Sequence, residues 1–183
     1  MMKIILLFDR ALKKIKNIYQ KKCFKARTRC HHDNFILVGD ITLINNNVSI
    51  GKDVTIYPGC MFFGDGIISI GNGVDIGKDC VIYSSLQNGG VSIGDNTHIA
   101  AQCYIIDQDH GTKRNTLIQN QKNTVAPVKI GKDCWLGADV TVLKGSVIGD
   151  GAIIGAKSLV KGEIPPFSVC VGTPCKVIRY REV

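Results

Sequence analysis

Between Ile130 and Val160 a branched apolar residue returns at every sixth position, as Ile130, Leu136, Val142, Ile148, Ile154 and Val160. Four of the six are followed by glycine, and four places after each of the first five comes a small or β-branched residue: Cys134, Val140, Ser146, Ala152 and Ser158. Such a period fits neither an α-helix, with about 3.6 residues per turn, nor a sandwich, whose strand signals come roughly every 8–12 residues. It fits a coil of short strands and corners in which the large residue fills the interior. Successive coils then stack as a parallel β-helix at about 4.8 Å per strand. The glycine after the large residue is expected to supply the backbone angles of the bend.

The same frame can be read upstream. The coil begins near Phe35, with hexad positions at Val38, Ile44, Ile50, Ile56 and Phe62, a shift at Gly64-Asp65-Gly66, and further positions at Ile70, Ile76 and Ile82. A second interruption carries Gln87-Asn88-Gly89-Gly90, after which Ile93, Ile99 and Ile105 continue the frame. The third break is the longest, from Asp107 to Pro127, and a long aperiodic loop inside a regular repeat is usually functional. Pro165-Pro166 ends the coil. The chain is therefore divided into residues 1–32, a basic amphipathic helix; 33–166, a β-helix with a loop excursion over 107–129; and 167–183, a tail.

The formal charge of +8 is confined to one end. Residues 1–30 hold ten Lys or Arg against Asp9 alone, so the remainder is close to neutral and presents no nucleic-acid-binding surface. Within that arm Ile4, Phe8, Ala11, Ile15 and Ile18, with Ile5, Leu12 and Tyr19 beside them, lay an apolar stripe along one helical face. Two readings coexist: a helix that docks on the end of the coil and caps its strand edges, and a basic helix lying on an anionic membrane surface or meeting a polyanionic polymer.

Eight cysteines raise the question of disulfides or metal. Cys60, Cys80, Cys103, Cys134 and Cys170 fall at the small hexad position, where a compact, weakly polar side chain packs well, and no CxxC pair occurs. The apolar run Ile4–Phe8 is too short for a secretory leader, so a cytoplasmic location is expected. Only His98 and His110 lie in the body, too few for a three-histidine metal site, while His31 and His32 precede the coil. No metal is expected.

His110 stands where the repeat gives way to the excursion, within Asp107-Gln108-Asp109-His110-Gly111. Imidazole is the side chain suited to taking a proton at neutral pH, and either Asp107 or Asp109 could orient its second nitrogen. A solvated loop histidine is the competing reading.

The string Ile130-Gly131-Lys132-Asp133-Cys134-Trp135-Leu136-Gly137-Ala138, the hexads after it, Lys161-Gly162-Glu163-Ile164-Pro165-Pro166 and the tail Gly172-Thr173-Pro174-Cys175-Lys176-Val177-Ile178-Arg179 resemble the hexapeptide-repeat acyltransferases. Among these the chain is most similar to galactoside, maltose and capsular-polysaccharide O-acetyltransferases. The resemblance implies an all-β, left-handed parallel β-helix associated as a homotrimer, with active sites between subunits. It implies acetyl-CoA as co-substrate and a carbohydrate acceptor, and it places the general base at His110, upstream of the Trp-bearing hexad. Trp135 then meets the acceptor, while Ala138, Ala156, Lys161, Lys176 and Arg179 match positions that contact CoA. Exterior residues such as Tyr57, Phe63 and Tyr83 would suit the subunit interface.

The function this implies is acetyl transfer to a carbohydrate hydroxyl, in a capsule, lipopolysaccharide or other surface glycan, by direct attack with a histidine base. The alternatives are N-acetylation of an amino-sugar nucleotide and a non-catalytic β-helix subunit. The basic arm and the region Ser84 to Gly90 depart from the sugar acetyltransferases, and both departures bear on the acceptor.

Overall fold

The computed structural model describes residues 2–85 and 89–182. Gln87 and Asn88 of the second interruption lie outside the described residues, as do the side chains of Lys3, Ile4 and Asp9 in the basic arm.

A 26-residue helix, α1 (Met2–Arg27), leads into a left-handed parallel β-helix with three faces. The first face stacks Phe35–Leu37, Val54–Ile56, Asp75–Ile76, His98–Ile99, Trp135–Leu136, Ile153–Ile154 and Ser168–Val171 in parallel, and Lys176–Tyr180 closes its edge antiparallel. The second face runs from Thr42–Leu43 to Leu159–Val160, and the third from Val48–Ile50 to Glu163–Ile164. Register carries the hexad through the stack. Leu37, Ile56, Ile76, Ile99, Leu136, Ile154 and Cys170 form one continuous buried ladder. Across the longest break Ile93 sits directly against Ile130, so the excursion leaves and returns without disturbing the core.

Three expectations about the coil are corrected. Val38 and Ile44 are exposed, and Leu37 and Leu43 face inward instead. Pairing of Phe35–Leu37 with Val54–Ile56 sets that parity, and a shift of one residue exchanges inside for outside. Cys170 occupies the large position opposite Ile154 rather than the small one.

The third correction concerns glycine. Gly131 does not take a positive φ; that conformation falls two residues later, at Asp133 with φ 54°, and likewise at Asp53, Asp79 and Asp139. Short polar side chains tolerate this region. Gly131 is required for another reason: a Cβ there would lie 2.5 Å from Asp150 Oδ1 and 2.7 Å from its backbone nitrogen. The glycines after the large residues let neighbouring coils approach at the corner.

The cysteines of the body are packing residues. Cys60, Cys80 and Cys103 stack in successive coils, and all eight thiols of the chain are free. Hydrogen bonding to Cys103 and Cys60, with burial, pushes the Cys80 thiol far above the ordinary range. Burial likewise pushes Cys134 up. Neither is an activated nucleophile.

The helix docks by the side opposite to the one its pattern suggests. Asn17 donates to the Leu37 carbonyl, Gln20 to Asp40, and Phe24 is buried against Phe35 with ring centroids 5.3 Å apart. Beyond the helix, Arg29 N donates to Val48 O at 2.9 Å and the His32 ring meets Ile50 O at 3.1 Å, so this segment caps the first coil. The stripe of Phe8, Leu12, Ile15, Ile18 and Tyr19 is exposed. No helix among the described residues is long and apolar enough to cross a membrane.

Candidate active site

The excursion is a hairpin that leaves from a strand in the middle of the second face. Gln108–Asp109 pairs antiparallel with Thr124–Val125, directly after Tyr104–Ile106. Its root is held by Asp107. That side chain has no exposure and accepts hydrogen bonds from Ser84 Oγ at 3.0 Å, Ser85 N at 2.9 Å and Gly90 N at 2.7 Å. The Asp107 carbonyl accepts from Ala126 N at 2.9 Å. A buried carboxylate that meets this many donors fixes two loops to each other.

Further out, Gln121 stitches the hairpin across itself: Oε1 accepts from Lys113 N at 2.7 Å, and Nε2 donates to Lys113 O at 2.9 Å and Thr116 O at 2.6 Å. Gly111 is buried beside it, and a Cβ there would lie 2.6 Å from that of Gln121. The residue after His110 must therefore be glycine for this closure to form.

His110 is exposed at the start of the hairpin and lines an open cavity of about 810 Å³ with Lys113, Arg114, Leu117 and Ile118. Its imidazole is thus available to a ligand in a site with two cations and two apolar side chains. Among the described residues no hydrogen bond or ion pair joins His110 to Asp107 or Asp109. Asp107 is enclosed in its cradle, and the Asp109 carboxylate lies 3.4 Å from Lys144 Nζ, which also donates to Thr124 Oγ1 at 2.8 Å.

Trp135 stands apart from this cavity in the single chain. It lies on the first face, 54 % exposed, in register between His98 and Ile153. His98 Nδ1 lies 3.1 Å from Asp75 Oδ2, so an exposed His–Asp pair flanks the tryptophan. Sequence reading weighed His98 only as a metal ligand and overlooked Lys113, Arg114 and Lys144. The neighbourhood of His98 and Trp135 is legible only once the coil register across the long break is known.

Ala138 and Ala156 are exposed at one corner of adjacent coils, and the Ala138 carbonyl accepts from Lys157 N at 2.9 Å. Asp139, 2.8 Å from Lys157 Nζ, holds that ammonium above its ordinary value. The tail turn packs beside them, with Gly172 N donating to Ser158 Oγ at 3.0 Å. Burial pushes the nearby Cys175 thiol up to about 11. Lys161, Lys176 and Arg179 are all exposed, the last two on the closing strand. Among the described residues no group of three His, Cys, Asp or Glu could hold a metal ion.

The stack of hexad-built coils defines the fold class. Two segments of the chain match hexapeptide-repeat transferase families, and its left-handed parallel β-helix is the fold that resemblance implies. The family models "Bacterial transferase hexapeptide (six repeats)" and "Hexapeptide repeat of succinyl-transferase" match residues 127–162 and 67–106. Rv3034c of Mycobacterium tuberculosis, assigned as an acetyltransferase, is 43 % identical over 51 % of this chain and 31 % of its own length. WbbJ of Escherichia coli, assigned to lipopolysaccharide biosynthesis as an O-acetyl transferase, is 38 % identical over 49 % of this chain and 50 % of its own. The chain thus spans half or less of the length of these relatives.

Among solved structures, the N-acyltransferase AntD of Bacillus cereus, in complex with dTDP and 3-hydroxybutyryl-CoA, superposes with a TM-score of 0.79 at 23 % identity, covering 89 % of this chain and 88 % of AntD. A maltose O-acetyltransferase of Clostridium difficile gives 0.65 at 24 % identity, covering 96 % and 86 %. These likenesses carry the fold.

Proposed function

We propose that the protein is an acetyl-CoA-dependent O-acetyltransferase that modifies a carbohydrate hydroxyl, with a surface polysaccharide such as capsule or lipopolysaccharide as the acceptor class. The observation that carries this reading is His110, exposed at the mouth of an open cavity on a hairpin whose root is pinned by a buried carboxylate. A base so placed is open to an acceptor yet restrained in position. The assignment of WbbJ supports a glycan hydroxyl as the acceptor.

In this reading His110 takes the proton of the sugar hydroxyl as its oxygen attacks the thioester carbonyl. The carbon–sulfur bond then breaks, the acetyl group passes to the sugar oxygen, and the proton passes to the departing CoA thiolate. A backbone N–H would stabilise the oxyanion. Asp109 would have to exchange Lys144 for the imidazole in order to orient it. The corner at Ala138 and Ala156 would guide the pantetheine arm, with Lys161, Lys176 and Arg179 toward the phosphates.

Trp135 serves the acceptor in this scheme if a second copy brings its first face to the hairpin, which is the arrangement of a homotrimer. Exposed Tyr57 and the half-buried Phe63 and Tyr83 would be covered there. The enzyme would work in the cytoplasm, with residues 1–30 meeting an anionic polymer or membrane.

N-acylation of an amino-sugar nucleotide is favoured by a different observation: Lys113 and Arg114 line the cavity with His110 and suit a diphosphate. Release of CoA from acetyl-CoA across sugars, amino-sugar nucleotides and acidic polysaccharides separates the two. Acceptor-dependent release that falls roughly 10²- to 10⁴-fold in His110→Ala is expected for a lost general base. Release unchanged in that variant would overturn the role of His110. No release with any acceptor would point to a non-catalytic subunit.

A further inference from the structure

We propose that α1 docks this protein on an anionic lipid surface through the stripe Phe8, Leu12, Ile15, Ile18 and Tyr19. The inference is independent of the transferase reading.

The coil has already taken its side of the helix. Asn17, Gln20, Lys21 and Phe24, at i, i+3, i+4 and i+7, face the first coil: Asn17 caps the Leu37 carbonyl, Gln20 and Lys16 hold Asp40, Lys21 Nζ lies 4.8 Å from the Phe35 ring centroid, and Phe24 is 2 % exposed. At about 100° per residue the stripe falls on the opposite side. Turning it inward would extract Phe24 and break each of these contacts. Phe8 is 69 % exposed and Leu12 59 %, in a molecule whose other large apolar ladders are buried. A contiguous apolar band of this kind marks an interaction surface.

Charge selects the partner. The first thirty residues carry ten cationic side chains and one carboxylate. Lys14 borders the stripe, and Lys22 follows Ile18 by one turn. Pairing this helix with that of a second copy would bring two such cationic arms together, at a like-charge cost. The stripe is also broader than the narrow seam of a coiled coil. A soluble polyanion would satisfy the lysines but leave Phe8, Leu12 and Ile15 in water. A bilayer with anionic headgroups answers both, the apolar side entering the acyl boundary and the lysines meeting phosphates. The helix is not apolar enough to cross, so it lies in the interface plane.

The test is sedimentation of the full chain with phosphatidylcholine vesicles, with and without phosphatidylglycerol, over a range of salt. Partition is expected only with phosphatidylglycerol, weakening as salt rises. It should fall by about tenfold or more in Leu12→Gln/Ile15→Gln, which removes two anchors without adding charge. Both side chains lie in the exposed part of the helix, so the melting temperature should stay that of the parent. Partition that survives the double substitution would overturn the proposal, as would its absence from both vesicles. A smaller assembly by light scattering in the double variant would assign the stripe to a second copy instead. Binding to a soluble acidic polysaccharide without partition to vesicles would assign the arm to a polymer.

Discussion

The interior of the coil and the N-terminal helix are both periodic apolar patterns, and the structure treats them in opposite ways. Leu136, at a hexad position, has no exposure, while Leu12, at a helical one, is mostly in water. A period of six encodes its own partner, because each coil stacks on a neighbour with the same spacing and the large residues meet in register. A helical stripe encodes only a direction. What lies in that direction is decided by the rest of the surface, and here the coil engages polar Asn17 and Gln20 and buries Phe24.

The largest expected effect sharpens that contrast. Leu136→Ala should cost about 2–5 kcal/mol by denaturant unfolding, as a cavity in a packed ladder does. Leu12→Ala should stay within about 0.5 kcal/mol, as exposed substitutions do. Equal losses at the two sites would break the comparison.

A smaller effect tests the junction between the coil and its excursion. Asp107→Asn replaces a carboxylate facing three donors with an amide that can no longer accept from all of them, at a cost of about 1–3 kcal/mol. Hydrogen exchange should rise across residues 108–126 more than across the coil. A uniform rise would show that the hairpin is not separately anchored.

The smallest effect concerns the helix. Lys16, with help from Gln20 and against partial burial, holds the Asp40 carboxyl below its ordinary value of 3.8. A folded value below the unfolded one means the contact contributes at neutral pH and is lost as pH falls through that lower value. Asp40→Asn should therefore speed amide exchange over residues 14–24 at neutral pH, and the difference from the parent should vanish in strong acid. An unchanged exchange rate would show that the Asp40 contact plays no part in seating the helix.

Much of the coil was legible because its signal is local and repeated. The hexads from Ile130 to Val160 hold their spacing, since Ile130 pairs with Ile148 and Leu136 with Ile154. The first coil was misread by one residue, at Val38 for Leu37, because a single turn has no preceding repeat to set its parity. Glycine's location was legible but its task was not. Close approach of Gly131 to Asp150 is a contact between coils, and no property of the Ile-Gly dipeptide reveals it. His110 stood out by its place at a break in the repeat, whereas Asp107 looked equivalent to Asp109 until the cradle of Ser84, Ser85 and Gly90 closed around it.

The sequence alone determined that the chain coils, where the coil is interrupted, and that a histidine stands at the interruption, because a six-residue period leaves few ways to bury its apolar residues. Tertiary structure alone decided which carboxylate is buried, which residues neighbour Trp135, and which side of the helix meets the coil. These depend on contacts between residues far apart in the chain, such as His98 with Trp135 and Lys16 with Asp40. Their energies exist only once the register has brought the partners together.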